Sequence, residues 1–357
     1  MNPKTLHSCS TFLLSTPGSR LVGHNLDDDI DVPGLVIANP RGIAKENIGW
    51  QDLTGFRSKS RPRIRWTAKY GSITCNAFGR EFPDGGLNEA GLYIEEMTLL
   101  GTAYPQTPGV PKMYHHQWVQ YILDNFETVE QVLDSLAKVN IEGHCQWHFF
   151  TADQQGHAAA IEFLAGKAVV HSGAQMPVKA LANSAYANEL THLGEYEGFG
   201  GTKTIDFKDR QGPERFVQAA AMIRKFEMQP QRLAVDEAFA ILAQMDCGNN
   251  KWSAVFDLSQ LRVYFRTYRA EEIKYIDFSS FDLSGSSPAM TRDIHQPGSG
   301  DVSGQFQAFS EAGNRSAIHQ AWAPINMGSA MLNRFFKPLL VRKLSSYPKV
   351  FYTWKGI

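Results

Sequence analysis

The sequence predicts an α+β fold in which sheets stack on one another and helices cover their outer faces. Its 357 residues are enough for one large domain or two ordinary ones with a substantial core. Short apolar or alternating runs broken by Gly, Pro and Asn are typical of strands, and they come in blocks that alternate with blocks of helical periodicity. The blocks lack regular strand–helix–strand alternation, so they favour layered α+β architecture over a parallel α/β sheet.

The first hundred residues predict an antiparallel sheet followed by helices. Turn residues bound four runs of strand length, at residues 10–15, 34–39, 69–78 and 91–97. Residues 114–125 then carry apolar side chains near helical spacing, and Thr128 opens a capping-box pattern for a second helix that ends near residue 139. We expect these two helices to cover one face of a sheet.

The middle of the chain returns to strands, then to helices, then to strands again. Residues 154–157 have the composition of a hairpin turn, which predicts that the strands on either side of it pair. The predicted strands are residues 147–153, 158–163, 168–171, 252–257 and 261–268, and the predicted helices are residues 213–226 and 235–244.

Beyond residue 280 the composition changes. Residues 279–303 are rich in Ser, Gly, Pro and Asp, as in a surface excursion or extended tail, and residues 329–345 suggest an amphipathic helix interrupted by Pro338. We therefore expect residues 283–357 to form an extension that packs on the main domain or on a partner subunit of a homodimer or homotetramer. A helix lying on a membrane surface is the alternative.

The composition excludes several classes of protein. Hydrophobic residues make up 43% and charged residues 20% of the chain, and the formal net charge is −1, which argues against a disordered chain and against a polybasic nucleic-acid-binding protein. No apolar run approaches the length of a membrane span, so we expect no stable membrane insertion. Residues 1–8 lack the apolar region of a secretory signal, which predicts a cytoplasmic protein and leaves an extracytoplasmic location by another route open.

The cysteine and histidine pattern predicts neither disulfides nor a metal site. Cys9, Cys75, Cys145 and Cys247 are widely spaced and form no C-x-x-C pair. The histidines at positions 115, 116, 144 and 148 form no helical H-x-x-x-H pair with a plausible third ligand, and His148 alternates with Trp147 and Phe149 as in a strand. We therefore predict chemistry without a metal or other cofactor.

Cys9 is the candidate nucleophile. It opens a strand-like segment after an eight-residue leader, and removal of residues 1–8 would make it the N-terminal residue. It would then supply both a thiol and an α-amine, whose pKa of roughly 7.7 to 8.0 suits a base working near neutrality. On local sequence alone, a cysteine that is simply buried in a strand is the alternative.

An ordered set of motifs resembles the choloylglycine hydrolase and penicillin V acylase family of linear-amide hydrolases. The motifs run in the same order over residues 9–277: C-S-T-F from Cys9, G-H-N-L-D from Gly23, D-G-G-L-N-E-A-G-L from Asp84, L-A-N-S from Leu181, P-E-R-F-V from Pro213, K-W-S-A-V-F-D from Lys251 and V-Y-F-R-T-Y from Val263. The resemblance implies a four-layer αββα sandwich of two antiparallel sheets covered by helices, the fold of N-terminal-nucleophile hydrolases, within residues 9–282.

The resemblance also implies roles for particular residues. Cys9 is the implied nucleophile, and Asp27 is the acidic residue that orients and holds its amine. Asn183 is the implied side-chain donor to the oxyanion, and Thr98, six residues after the leucine of N-E-x-G-L, is the implied backbone donor. Arg215 matches the arginine of the family's S-R-F segment, and its place early in a helix predicts an acidic partner such as Asp27.

Three positions depart from the family pattern or bear on the substrate. His24 stands where the family usually has arginine, and if it faces the site we expect a steeper pH dependence, because histidine is charged only below about pH 6.5. Glu95 and Glu96 lie where relatives often have small or apolar residues near the substrate pocket. They favour a polar or cationic substrate, or else mark an exposed strand face.

The predicted function is hydrolysis of a small-molecule, non-peptide linear amide through a Cys9 acyl-thioester. Two alternatives stay open from the residues: an acyltransferase on the same scaffold, in which an amine replaces water at the thioester, and an unprocessed, non-catalytic homologue that binds a small amide.

Overall fold

The computed structural model describes residues 9–55, 61–210, 212–228, 234–326 and 328–352. The predicted leader, residues 1–8, lies outside the described residues. The strands of the described chain, in order, are β1 (Ser10–Thr16), β2 (Ser19–Asp27), β3 (Leu35–Asn39), β4 (Ala44–Glu46), β5 (Arg65–Thr67), β6 (Ser72–Asn76), β7 (Gly85–Asn88), β8 (Tyr93–Thr98), β9 (Lys112–Tyr114), β10 (Asn140–Glu142), β11 (Trp147–Ala152), β12 (Ala158–Leu164), β13 (Lys167–Ser172), β14 (Ala180–Leu181), β15 (Asn250–Asp257), β16 (Arg262–Thr267), β17 (Ala270–Asp277), β18 (Met290–Asp293), β19 (Gly300–Asp301) and β20 (Gln307–Ala308). Its α-helices are α1 (Trp50–Thr54), α2 (His115–Asn125), α3 (Val129–Ser135), α4 (Tyr186–Leu193), α5 (Glu214–Met228), α6 (Ala234–Met245), α7 (Glu311–Trp322) and α8 (Lys337–Tyr352).

Most strands belong to two large sheets. Sheet A has the order β14-β1-β2-β15-β16-β17-β19, and sheet B has the order β13-β12-β11-β8-β7-β6-β3-β18-β20. Neighbouring strands in both sheets are antiparallel, except that β19 pairs with β17 in parallel at one edge of sheet A. The predicted antiparallel sheets are thus confirmed.

The sheets stack face to face, and helices cover both outer faces. Tyr93 of sheet B and Phe256 of sheet A lie with ring centroids 4.9 Å apart in the layer between the sheets. On the far side of sheet A, Asn25 of β2 donates to the Leu242 carbonyl of α6 at 2.8 Å. On the far side of sheet B, Trp118 of α2 packs edge-on against Phe149 of β11 at 4.7 Å. This arrangement confirms the predicted four-layer αββα sandwich.

The β1–β2 hairpin positions the candidate nucleophile. Pro17 and Gly18 form the tight turn, and Gly18 takes a φ of +98°, which favours glycine. The register pairs Ser10 with Asn25 and Thr11 with His24. Cys9, immediately before β1, therefore lies beside the end of β2.

Residues beyond 282 complete both sheets, which the predicted extension did not anticipate. β18 pairs with β3 and β20 with β18 at the edge of sheet B, and β19 pairs with β17 at the edge of sheet A. These strands cover edges that otherwise expose unpaired backbone groups. They are two to four residues long, too short for the alternating pattern that predicts a strand.

The C-terminal helices pack on the body of the molecule. Trp322 of α7 contacts Phe78, and Tyr347 of α8 contacts Phe82. The chain is helical from Ala330, passes through a π-helical turn at Leu332–Phe336 and continues into α8, so Pro338 lies just after an irregular turn of a longer helical segment. In the described part of the chain, no helix has both the length and the apolar composition that crossing a membrane requires.

Candidate active site

The Cys9 thiol is buried at the start of β1. Cys9 is 4% exposed, and its Sγ donates to the backbone carbonyl of Asp27 at 3.7 Å. Burial raises the pKa of this thiol well above its usual value, and the negative charges of Glu96, Asp27 and Asp28 raise it further. The thiol is therefore protonated at rest and needs a base before it can attack a carbonyl.

The Asp27 carboxyl is held by three side chains at the end of β2. Asn250 donates its amide to Oδ1 at 2.9 Å, an Arg215 guanidinium nitrogen lies 3.8 Å from Oδ2, and the Cys247 thiol lies 3.9 Å from the same oxygen. Burial raises the pKa of Asp27 to about 7, against the lowering effects of Asn250 and Arg215. Near neutral pH this carboxyl can therefore exchange a proton.

Arg215 links Asp27 to Asn183. It lies in the first turn of α5, is 4% exposed, and donates from its second terminal nitrogen to Asn183 Oδ1 at 3.1 Å. Because Arg215 occupies the Asn183 oxygen, the amide nitrogen of Asn183 must point the other way. That nitrogen donates to the Thr98 carbonyl at 2.8 Å, and its second hydrogen remains as a donor.

The backbone of β8 places the Thr98 N–H beside the Asn183 amide. In an antiparallel strand, the N–H and C=O of one residue point to the same side, and that side alternates along the strand. The Glu96 N–H donates to the Asp84 carbonyl at 3.1 Å, towards β7, whereas the Leu99 N–H donates to Gln146, towards β11. The Thr98 N–H therefore points to the β7 side, past the end of that ladder, where its carbonyl meets Asn183.

The structure thus brings together five residues that the sequence nominated from distant segments. Contacts run from Cys9 to Asp27, from Asp27 to Arg215, from Arg215 to Asn183, and from Asn183 to Thr98. The set contains a thiol, a carboxyl and two hydrogen-bond donors, which are the kinds of group that acyl transfer uses.

His24 is buried in the layer between the sheets. Thr11 Oγ1 is 2.7 Å from its Nδ1, and its Nε2 lies 3.6 Å from Glu95 Oε1 in the layer between the sheets. Burial lowers the pKa of His24 to about 3, so the ring is neutral at physiological pH. Its titration therefore supplies no reason for the steeper pH dependence that we considered.

The two neighbouring glutamates point to opposite faces of β8. The Tyr93 hydroxyl donates to Glu95 Oε2 at 3.1 Å, so Glu95 lies between the sheets with His24. Glu96 shares the other face with Ile94 and Thr98. Both carboxyls are buried, and burial raises the pKa of each well above its usual value.

Sequence reasoning missed Asn250 and Cys247, both of which contact the Asp27 carboxyl. Asn250 lies at the start of β15. Its position directly before the K-W-S-A-V-F-D motif was an available signal, because β15 pairs with β2 and so brings Asn250 opposite Asp27.

One histidine and cysteine cluster was also missed. Potential ligand atoms of His115, His144 and Cys145 lie within 4.8 Å of one another. Histidine spacing alone does not indicate this cluster, because its third member is the cysteine that follows His144. His148, by contrast, contacts Glu162 and the Ala182 carbonyl.

Comparisons with known proteins give two sequence matches. The model of the linear amide C-N hydrolases, choloylglycine hydrolase family, matches residues 9–292. A penicillin V acylase from Pectobacterium atrosepticum is 26% identical over 314 residues, which are 74% of this chain and 83% of that protein.

Two solved structures show the same fold. Penicillin V acylase from Agrobacterium tumefaciens superposes with a TM-score of 0.74 at 22% identity, covering 85% of this chain and 98% of that chain. A single-residue variant of conjugated bile acid hydrolase from Clostridium perfringens superposes with a TM-score of 0.65 at 18% identity, covering 80% of this chain and 97% of that chain. The chain belongs to the choloylglycine hydrolase family, the hydrolases of carbon–nitrogen bonds in linear amides.

Proposed function

We propose that this protein hydrolyses a small linear amide with the Cys9 thiol as nucleophile and the Cys9 α-amine as base, after removal of residues 1–8. The observation that carries the proposal is the unbroken set of contacts from Cys9 through Asp27 and Arg215 to Asn183 and Thr98.

The geometry suggests why the base comes from Cys9 itself. The thiol contacts a carbonyl oxygen, which is not a base, and His24 is held by Thr11 and Glu95. The Asp27 carboxyl is turned towards Asn250 and Arg215. An α-amine on Cys9 lies within its own residue and has a pKa suited to accepting the thiol proton.

The reaction then has two halves. The sulfur attacks the amide carbon, the α-amine takes the thiol proton, and the oxyanion accepts hydrogen bonds from the Asn183 amide and the Thr98 N–H. The C–N bond breaks as the α-ammonium returns a proton to the leaving amine, which leaves a thioester on Cys9. Water attacks the thioester with the α-amine as base, and the acid is released with regeneration of the thiol.

Asp27 and Arg215 position these groups. An ionised Asp27 holds the α-ammonium as it forms, and Arg215 favours that ionised state while it fixes the Asn183 oxygen. The relatives named above suggest a first panel of substrates: a phenoxyacetyl amide such as penicillin V, a conjugated bile acid and simple N-acyl amides.

The test is to replace Cys9 in a chain that begins with Met followed directly by Cys9, so that removal of a single residue exposes the nucleophile. We expect Cys9→Ala to lower kcat by at least about a thousandfold on any amide that the parent hydrolyses, because the covalent step is lost. Release of acid and amine is measured by mass spectrometry, and intact mass confirms the N-terminus.

Cys145→Ser is the matched control, since it changes another thiol outside the Cys9 to Thr98 contacts, and it should keep activity. Thermal unfolding of each variant separates lost chemistry from lost folding. Turnover by folded Cys9→Ala at the parental rate would rule out Cys9 as nucleophile.

A further inference from the structure

Glu96 is a buried carboxyl on β8, near the proposed oxyanion donor Thr98, that the proposed mechanism does not use. It lies two residues before Thr98 on the same face of β8. After burial, its negative charge is the largest contributor to the raised pKa of the Cys9 thiol, and likewise to that of the Cys145 thiol. The Glu96 carboxyl, when ionised, therefore disfavours the thiolate form of both cysteines.

The Glu96 side chain is buried without a complete set of partners. It is 6% exposed, and among the described residues its Oε2 has no hydrogen-bond partner. The charges that raise its pKa are negative, from Asp84, Glu95 and Asp28. A buried carboxylate in such a place is costly unless a donor or a cation meets it.

Other buried acids in this protein have such a partner. Asp27 has Arg215, and Asp124 has the Lys45 ammonium at 2.9 Å. Even within the same acidic group, Asp84 accepts the Ala77 N–H at 2.6 Å and Glu95 accepts the Tyr93 hydroxyl. Glu96 differs from these acids, because neither a donor nor a cation of the described residues contacts its Oε2.

We propose that Glu96 is a substrate-binding residue that pairs with a cationic group, such as an ammonium or amidinium, close to the scissile amide. This inference rests on the proposed function, because it assigns the substrate class of the same site. Burial keeps Glu96 protonated when no cation is bound, and a substrate cation beside it favours its ionised form, so binding and ionisation occur together.

The α-ammonium of a processed Cys9 is the rival partner for Glu96. The two are separable, because a residue that acts on the α-amine affects every substrate alike, whereas a substrate-binding carboxylate affects cationic substrates alone.

The experiment compares matched amides that differ in charge. On the acyl side we choose β-alanyl, butanoyl and malonyl p-nitroanilides, which are cationic, neutral and anionic. On the amine side we choose N-butanoyl ethylenediamine and N-propylbutanamide, which are cationic and neutral. The proteins are the processed parent, Glu96→Gln, Glu96→Asp and the control Glu89→Gln, which neutralises a carboxylate paired with Arg41 at the other end of β7 and β8.

We expect the parent to favour the cationic member of at least one pair by about tenfold or more in kcat/KM, as one well-placed ion pair allows. Glu96→Gln should reduce that ratio to near one with less than about a threefold change on the neutral amide. Glu96→Asp and Glu89→Gln should keep the preference. Thermal unfolding checks that each variant is folded.

Three results would overturn the inference: no charge preference in either pair, a preference that survives Glu96→Gln, or an equal loss on all substrates. If no amide is hydrolysed, the proposed function fails separately. Calorimetric binding of the same compounds to Cys9→Ala then decides the inference, because a cation preference that depends on Glu96 supports it and equal affinities refute it.

Discussion

At the scale of single residues, the balance of burial against two donors decides how Asp27 ionises. Burial raises its pKa to about 7, while Asn250 and Arg215 pull it down. In the proposed mechanism the ionised carboxylate holds the α-ammonium, so activity rises as the pH passes upward through the pKa of Asp27. The acidic limb of the pH profile thus reports on this carboxyl together with the Cys9 α-amine, which must be unprotonated to act as the base.

Replacing Arg215 by Gln should move that limb to higher pH. Loss of the guanidinium charge raises the pKa of Asp27, because a nearby cation favours the ionised form, and we expect a shift of about one pH unit. The measurement is kcat/KM between about pH 5 and 9, a range that brackets this titration. Arg224→Gln, which removes a guanidinium from the exposed face of the same helix, should leave the limb in place. A limb that stays fixed or moves to lower pH in Arg215→Gln would show that Asp27 does not set it.

At the scale of elements, glycine in β7 allows β6 and β7 to pair closely in sheet B. A Cβ on Gly86 would lie 2.5 Å from the Ile73 carbonyl oxygen and 2.9 Å from the Thr74 Cα, both backbone atoms of the neighbouring strand β6. Backbone atoms of a paired strand cannot swing aside as a side chain can. Gly86 is therefore needed for the close approach of β6 and β7.

We expect Gly86→Ala to lower the free energy of unfolding by about 1 to 3 kcal/mol, the usual cost of forcing extra volume into a packed interior. Urea unfolding followed by circular dichroism measures this. The matched control is Gly304→Ala, where the added Cβ meets no atom of the described chain within 4 Å. Equal stability of the two variants would mean that the β6–β7 contact relaxes easily.

At the scale of the whole molecule, the C-terminal region is part of the sandwich. β18 and β20 extend sheet B, and β19 extends sheet A. The helices α7 and α8 pack in an apolar cluster that includes Phe82 and Tyr114. The buried Arg292 of β18 donates to the carbonyls of Asp293 and Pro297. Removal of this region uncovers two sheet edges and a core surface at once.

Two truncations separate these contributions. A chain that ends at residue 282 loses β18, β19 and β20 as well as both helices, and we expect it to aggregate or to lose cooperative unfolding because sheet edges are exposed. A chain that ends at residue 326 keeps every described strand and loses α8, so it should stay folded with a lower melting temperature. Calorimetry and size-exclusion chromatography compare them. If the chain ending at residue 282 were as stable as the full-length protein, residue 282 would be the end of the domain, as the sequence predicted.

Much of the fold followed from local patterns. Turn residues and alternating apolar runs predicted β1, β3, β11 and β12 to within about two residues, and helical spacing predicted α2, α5 and α6 nearly as well, because these signals depend on neighbouring side chains. Thr128 caps α3 as predicted, accepting the Gln131 N–H on its hydroxyl.

The ordered motifs also identified the residues that meet at the site. Each motif can be recognised from its own residues, so the long stretches of chain between motifs do not matter. The amino-acid sequence by itself therefore determined the layered architecture, the family and the group of Cys9, Asp27, Asn183 and Arg215.

Tertiary structure alone decided the rest. Only the pairing of β15 with β2 brings Asn250 to Asp27, and only the stacking of the two sheets turns His24 and Glu95 towards each other while Glu96 lies on the opposite face. The short strands after residue 282 form because existing sheet edges offer them partners. In each case the deciding interaction joins residues far apart in the chain, and no local pattern of side chains encodes which distant partner a residue will meet.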